Sequence, residues 1–185
     1  MPLRISGGEF KGRRIGSPTP GKGIRPTTEK VKLALFSIIG IRAVENSRVL
    51  DLYACSGALG IETVSRGAKS VVFVEKLRRN CALIEKNLNI LNIADKGIVI
   101  KSTVSQFLDM SKDQFDLVLI DPPFGRDEWE KVMNCLGNGI IVNEGGIVIG
   151  EHTPQVCLKS QYGKLDIEST RQYGGSKLSI YKAGN

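Results

Sequence analysis

Val49-Leu50-Asp51-Leu52-Tyr53-Ala54-Cys55-Ser56-Gly57-Ala58-Leu59-Gly60 decides the fold. Its first five residues, apolar but for Asp51, read as a buried strand. Residues from Gly57 to about Arg66 read as a helix, with Gly67 just past its end. Small residues fill the turn between them, so the backbone can approach a ligand closely and the helix N-terminus offers free N–H groups. The same alternation continues outward. Strands are predicted over 71–74, 98–100, 115–120 and 147–149, and helices over 78–91, 104–110 and 128–136. Cys81, Ile84, Leu88 and Leu91 share one face of the second of these helices. Short apolar strands alternating with helices predict an α/β fold with a Rossmann-like, doubly wound sheet. Such sheets bind ligands at the carboxyl ends of their strands, near the switch in strand order. Residues 165–168 and 178–181 alternate in polarity and predict a closing hairpin.

Upstream of residue 47 the pattern differs. Residues 3–5 and 13–15 are short extended candidates joined through Gly7, Gly8 and Gly12, a predicted hairpin. A loop rich in Gly and Pro follows to Pro26, and Thr27 or Thr28 is placed to cap a helix ending near Ile39. This head carries the charge. Of the net +7, residues 1–48 hold ten Lys or Arg against three Glu, while 49–185 hold sixteen of each sign. A neutral body with a basic head predicts a polyanionic partner, most simply nucleic acid. The expected division is a basic extension at 1–46 and a catalytic domain at 47–185.

The chain, 185 residues and 41% hydrophobic, is long enough for one domain with a real core. No apolar run approaches the roughly 20 residues that span a bilayer, and the N-terminus lacks a signal-peptide segment. Cys55, Cys81, Cys135 and Cys157 show no C-x-x-C spacing, so reduced thiols and a cytoplasmic location are expected. The single His152 argues against a histidine metal centre, and no metal is expected.

Asp121-Pro122-Pro123-Phe124 ends the fourth predicted strand. Prolines fix φ and donate no backbone N–H, so this turn presents carbonyl acceptors. With the Asp121 carboxylate and the Phe124 ring, it suits a flat, amino-bearing ring. The loop at 51–60 has Cys55 where a dinucleotide-binding G-x-G-x-x-G has its first glycine, and Asp51 suits a cation better than a phosphate. Glu75, ending the second strand, is placed to accept from a ribose diol, which serves NAD and S-adenosylmethionine alike. The two motifs together favour methyl transfer from S-adenosylmethionine to an exocyclic amine. Accepting that amine's N–H groups on Asp121 and the Pro122 carbonyl turns its lone pair toward the methyl group, and Phe124 would stack on the ring.

With these motifs in place, the chain resembles the RsmD family of 16S rRNA (guanine-N2)-methyltransferases. Residues 4–13 are similar to the family's opening R-I-I-G-G-x-x-x-G-R, and residues 23–31 to its G-L-R-P-T-T-x-x-V. The D-L-[FY]-A-G-S-G-A-L-G-[IL]-E loop lies at 51–62, and Tyr173-Gly174-Gly175-Ser176-Lys177-Leu178 looks like the family's ending. The resemblance implies a class I methyltransferase sheet of seven strands with the last strand antiparallel. It implies cofactor contacts from Asp51, Tyr53, Ala54, Ser56, Gly57, Glu75, Lys76, Thr103 and Val104. It places the guanine against Asp121, Pro122, Pro123 and Phe124, and RNA against Arg4, Lys11, Arg13, Arg14, Arg25 and Thr27. Cys55 replaces the loop's first glycine, and Thr103 stands where relatives often carry an acid. The implied partner is ribosomal RNA or a small-subunit assembly intermediate, met by a monomer. The rival readings are a DNA methyltransferase acting on adenine N6 or cytosine N4, and a non-catalytic RNA-binding protein on the same fold.

Overall fold

The computed structural model describes residues 3–18, 29–122 and 126–184. Strands β1 (Leu3–Arg4) and β2 (Arg14–Ile15) pair antiparallel as the expected hairpin, and helix α1 (Glu29–Ile39) follows. Thr27 and Thr28 lie outside the described residues. The body runs β3 (Arg48–Leu52), α2 (Ala58–Ser65), β4 (Ser70–Glu75), α3 (Arg78–Leu91), β5 (Gly97–Lys101), α4 (Val104–Met110), β6 (Phe115–Ile120), α5 (Arg126–Asn138), β7 (Val142–His152), β8 (Gln161–Tyr162), β9 (Leu165–Tyr173) and β10 (Ser176–Ala183).

The sheet has the order β5-β4-β3-β6-β7-β10-β9-β8. Strands β3 to β7 are parallel, and β10 enters antiparallel between β7 and β9. This is the class I methyltransferase arrangement, extended at one edge by the two-residue β8. The strand order reverses between β3 and β6, where Leu52 and Ile120 are in register. The loops at Tyr53 and Asp121 therefore leave the sheet side by side.

Period-two alternation divides the core. Val49 faces one side of the sheet, where β1–β2, α1, α2 and α3 pack; Leu50 and Leu52 face the other, with α4 and α5. Asp51 is thus on the side of the head. Among the described residues the head has no core of its own: Ile5, Phe10 and Ile15 are buried in the same cluster as Val49, Ile61 and Leu117. Burying these side chains stabilises the docking by about 1.5–3 kcal/mol each.

A buried carboxylate fixes the head's orientation. Glu62, wholly buried on α2, accepts from the Ser6 N–H at 2.9 Å and the Ser6 hydroxyl at 2.7 Å. It also accepts from the Arg66 guanidinium at 3.0 Å and pairs with Lys32 of α1 at 3.4 Å. Lys32 Nζ donates onward to the Arg4 carbonyl. One side chain so ties hairpin, α1 and α2 together. A buried charge is tolerable only with its lone pairs satisfied in this way.

Two of the boundaries that differ from the sequence reading bear on the site. The first body strand stops at Leu52, because Tyr53 turns to φ +62°. Strand β7 is far longer than 147–149. It begins at Val142 and pairs with β6 through a register shift between Phe115 and Leu117, which the bend at Gly145 and Gly146 accommodates. Gly145 has φ +70°, a conformation that breaks the apolar pattern without ending the strand.

Candidate cofactor and substrate pocket

A cavity of about 880 Å³ opens at the carboxyl ends of β3, β4, β6 and β7. It is lined by Asp51, Tyr53, Ala54 and Ser56 from the β3 loop, and by Glu75 and Lys76 after β4. Thr103 and Val104 at the start of α4, and Asp121 and Pro122 after β6, complete the predicted set. Gly57 does not line it. That residue sits behind the loop at φ +74°, where an added Cβ would press on Ile84 at 3.1 Å. Pro123, Phe124, Arg25 and Thr27 lie outside the described residues.

The β3 loop is built from alternating left-handed residues: Tyr53 at φ +62°, Cys55 at +53° and Gly57 at +74°. Only glycine adopts this conformation freely, so Cys55 carries a strain of about 1 kcal/mol. Two carboxylates hold the loop against it. Glu75 Oε2 accepts from the Cys55 N–H at 2.9 Å, and Oε1 from the Leu77 N–H at 2.7 Å. Asp51 Oδ2 accepts from the Gly60 N–H at 2.9 Å. Gly60 must be glycine, because a Cβ there would lie 2.3 Å from the Phe73 ring.

Around the β3 loop the cavity gathers carboxylates, Asp51, Glu75 and Asp121. Burial, opposed by the Gly60 hydrogen bond and reinforced by Glu75, pushes the Asp51 carboxyl up to about 7. Burial and the nearby Glu75, Asp121 and Asp51 push the Cys55 thiol up to about 11, so it stays protonated at neutral pH. Burial, with the side-chain hydrogen bond from its hydroxyl to Glu128, raises the Tyr53 phenol. Among the described residues, no ion pair neutralises Asp51 or Glu75. Such a field suits a cation and opposes the pyrophosphate of a dinucleotide.

On the α4 side, Thr103 caps the helix, its hydroxyl accepting from the Gln106 N–H at 3.3 Å. The Thr103 side chain is thereby engaged with its own helix, which leaves the neighbouring backbone to meet a ligand. The head supplies part of the opposite wall through Leu3, Pro18 and Lys32. Arg4, Lys11, Arg13 and Arg14 do not reach the cavity; they lie exposed on the hairpin. Arg13 Nη2 donates to the Ile90 carbonyl at 2.9 Å, which pins the hairpin to the end of α3.

Three contributors escaped the sequence reading. Asn87, fully buried on α3, donates to the Ser56 carbonyl at 2.9 Å and the Gly16 carbonyl at 3.1 Å. It links the head to the cofactor loop. Its signal was a polar residue three positions after Ile84 on the helix's apolar face. His152 and Glu151, at the end of β7, also line the cavity. His152 Nδ1 lies 2.9 Å from the Thr153 carbonyl, which can only accept, so Nδ1 carries the proton and Nε2 accepts from Ser179 at 2.8 Å. Burial lowers its pKa, consistent with a neutral ring packed edge-on to Trp129.

Known proteins agree with this architecture. The E. coli protein yhhF, named provisionally as a methyltransferase, has a solved structure that superposes with a TM-score of 0.89 at 26% identity, covering 100% of this chain and 99% of that one. The Bacillus subtilis (strain 168) protein YlbH, named provisionally as an rRNA methyltransferase, is 30% identical over 97% of this chain and 98% of its own. Ribosomal RNA small subunit methyltransferase D of Escherichia coli (strain K12) is 34% identical over 80% of this chain and 73% of its own. The family described as Conserved hypothetical protein 95 matches residues 3–182, and the chain belongs to that family, the RsmD family of methyltransferases.

Proposed function

We propose that the protein methylates the exocyclic N2 of a guanine in small-subunit ribosomal RNA, with S-adenosylmethionine as donor. The observation that carries this reading is the cavity in which the β3 loop and Glu75 face the Asp121-Pro122 turn. The names of the family's relatives support ribosomal RNA as substrate and methylation as the reaction.

The cavity fits the cofactor. Asp51 and Glu75, which have no ion-pair partner among the described residues, match a sulfonium and an ammonium. Asp51, Tyr53, Ala54, Ser56, Lys76, Thr103 and Val104 would surround it, Gly57 shaping the loop behind, with Glu75 accepting from the ribose hydroxyls. Bound there, S-adenosylmethionine supplies an electrophilic methyl group and leaves as S-adenosylhomocysteine, while the guanine amine loses one proton. Asp121 and the Pro122 carbonyl accept the two amine N–H groups, and Asp121 or water takes that proton. The work of the chain's residues is positioning and electrostatics. A base reaches such a pocket only by leaving its stack.

The head, residues 1–46, serves as the RNA-gripping extension of a catalytic domain at 47–185. Arg4, Lys11, Arg13 and Arg14 would contact phosphates, joined by Arg25 and Thr27, while Pro123 and Phe124 complete the guanine site. The protein acts as a cytoplasmic monomer on free RNA or an assembly intermediate. No helix among the described residues is long and apolar enough to cross a membrane.

Mapping methylated guanines in small-subunit RNA from cells with and without the protein tests the reading. One guanine should lose its N2-methyl when the protein is absent and regain it from purified protein and S-adenosylmethionine. An unchanged map refutes the reading.

A further inference from the structure

The β6–β7 register aligns Ile120 with Gly150. The next residues, Asp121 just past the end of β6 and Glu151 within β7, therefore lie at the same end of two adjacent strands. Both line the cavity. Their environments differ from those of the cofactor-side carboxylates. Asp51 and Glu75 are each held by backbone N–H groups. Glu151 is held on one side only: Oε1 accepts from the Ser176 hydroxyl at 2.9 Å, and Oε2 is shut off from solvent with no hydrogen-bond partner. Among the described residues it is the one buried side-chain polar atom so left. Lys32, the cation of the head that lines the cavity, is committed to Glu62 and the Arg4 carbonyl. An acceptor buried without a donor is costly, and native structures rarely leave one without a purpose.

We propose that Glu151 is the specificity-determining residue of the base pocket, accepting the ring N1–H of the target guanine. The inference rests on the guanine-N2 reading above and deepens it. Guanine carries N1–H and the N2 amine side by side on one edge. With the amine held by Asp121 and Pro122 and the cofactor on the β3–β4 side, the adjacent ring nitrogen falls toward the other neighbour of β6, which is β7. A small rotation about the terminal side-chain bond turns Oε2 toward it, with Ser176 retaining the other oxygen. Adenine and cytosine present a lone pair, not N–H, beside their exocyclic amines. A carboxylate there attracts guanine and repels both. The pocket so distinguishes bases that the Asp-Pro-Pro-Phe turn alone treats alike. A site built to pair with a donor rejects the analogue lacking it far more strongly than an apolar pocket rejects a missing methylene.

The test uses a small-subunit RNA fragment spanning the mapped site, made with either guanine or 2,6-diaminopurine at the target. Both bases carry the 2-amino group, but 2,6-diaminopurine has a lone pair at N1. Wild-type protein should prefer guanine by at least about 100-fold in kcat/KM. Glu151→Gln, whose amide can keep the Ser176 bond and donate to N1, should cut that preference by at least about tenfold. S-adenosylmethionine binding and thermal stability should stay near wild type. Equal use of both bases by the wild type overturns the inference whether or not the variant folds. So does an unchanged preference in a folded Glu151→Gln protein. Both outcomes leave guanine-N2 methylation standing; only a wild type that methylates no guanine removes that reading, and this one with it.

Discussion

The Cys55 backbone N–H donates to Glu75 Oε2 across 2.9 Å, binding the strained cofactor loop to the end of the neighbouring strand. The carboxylate assigned to the ribose diol is thus also the brace of the loop that would hold the rest of the cofactor. Glu75→Ala removes both functions and leaves the Cys55 and Leu77 N–H groups unpaired. Calorimetry should show S-adenosylmethionine affinity falling by about 100-fold, and urea unfolding a loss of about 1–3 kcal/mol. Wild-type affinity in the variant would exclude Glu75 from the cofactor site.

Asp51 should make cofactor binding pH-dependent. Its carboxyl is raised from 3.8 to about 7 in the free protein, mainly by burial. The sign follows. Between those values the folded protein holds a proton that the unfolded chain has released, so this group's contribution to stability falls as pH rises from about 4 to about 7. A cationic ligand favours the ionised form. S-adenosylmethionine affinity should therefore rise with pH from 6 to 8 and then flatten, with proton release on binding near pH 7. Titration calorimetry in two buffers of different ionisation enthalpy measures that release. Asp51→Asn should abolish the release and the slope.

Much of this site could be read along the chain because its determinants are local. The apolar run at 115–120 and the face of Cys81, Ile84, Leu88 and Leu91 gave β6 and α3 at their observed bounds. The β3 loop carries five small residues in a row, Ala54 to Ala58. What stayed hidden depends on pairing between distant segments. Glu62 ends a recognisable loop motif, but its partner Ser6 lies 56 residues away. Glu151 looks like an ordinary charge after an apolar strand until the β6–β7 pairing brings it to the same cavity as Asp121. The left-handed Cys55 could be suspected only from the glycine that its family relatives carry there.

Glu62 shows what that hidden pairing is worth. Glu62→Ala leaves Lys32 buried without its counter-charge and the Ser6 N–H without an acceptor. The expected loss is about 3–5 kcal/mol, read as a lower urea midpoint. Because Glu62 orients the head and not the cofactor loop, RNA methylation should fall further than S-adenosylmethionine binding. Equal losses in both would place the effect in the body.

Asp121→Ala should remove methyl transfer to ribosomal RNA by at least about 100-fold, since the amine loses a charged acceptor in a pocket screened from water. Filter binding should show RNA affinity largely kept, because the proposed phosphate contacts lie on the head. Wild-type turnover in this variant would end the role assigned to the Asp-Pro-Pro-Phe turn.

The exposed hairpin charges should act through salt and not through chemistry. Lys11, in the turn between β1 and β2, and Arg14, on β2, are exposed and do not line the cavity. Replacing either with Ala should lower the slope of log affinity against log salt by about 0.7–0.9, the value of one phosphate contact. Turnover at saturating RNA should be unchanged, because neither residue touches the pocket. Arg13 should behave differently. Its guanidinium is held by the Ile90 carbonyl and lies 5.8 Å from the centre of the Phe10 ring, so Arg13→Ala loosens the hairpin as well as removing a charge. Its variant should lose stability along with salt-dependent affinity. That contrast separates a head that grips phosphates with a rigid surface from one that merely carries positive charge, since a loose basic tail would respond alike at all three positions.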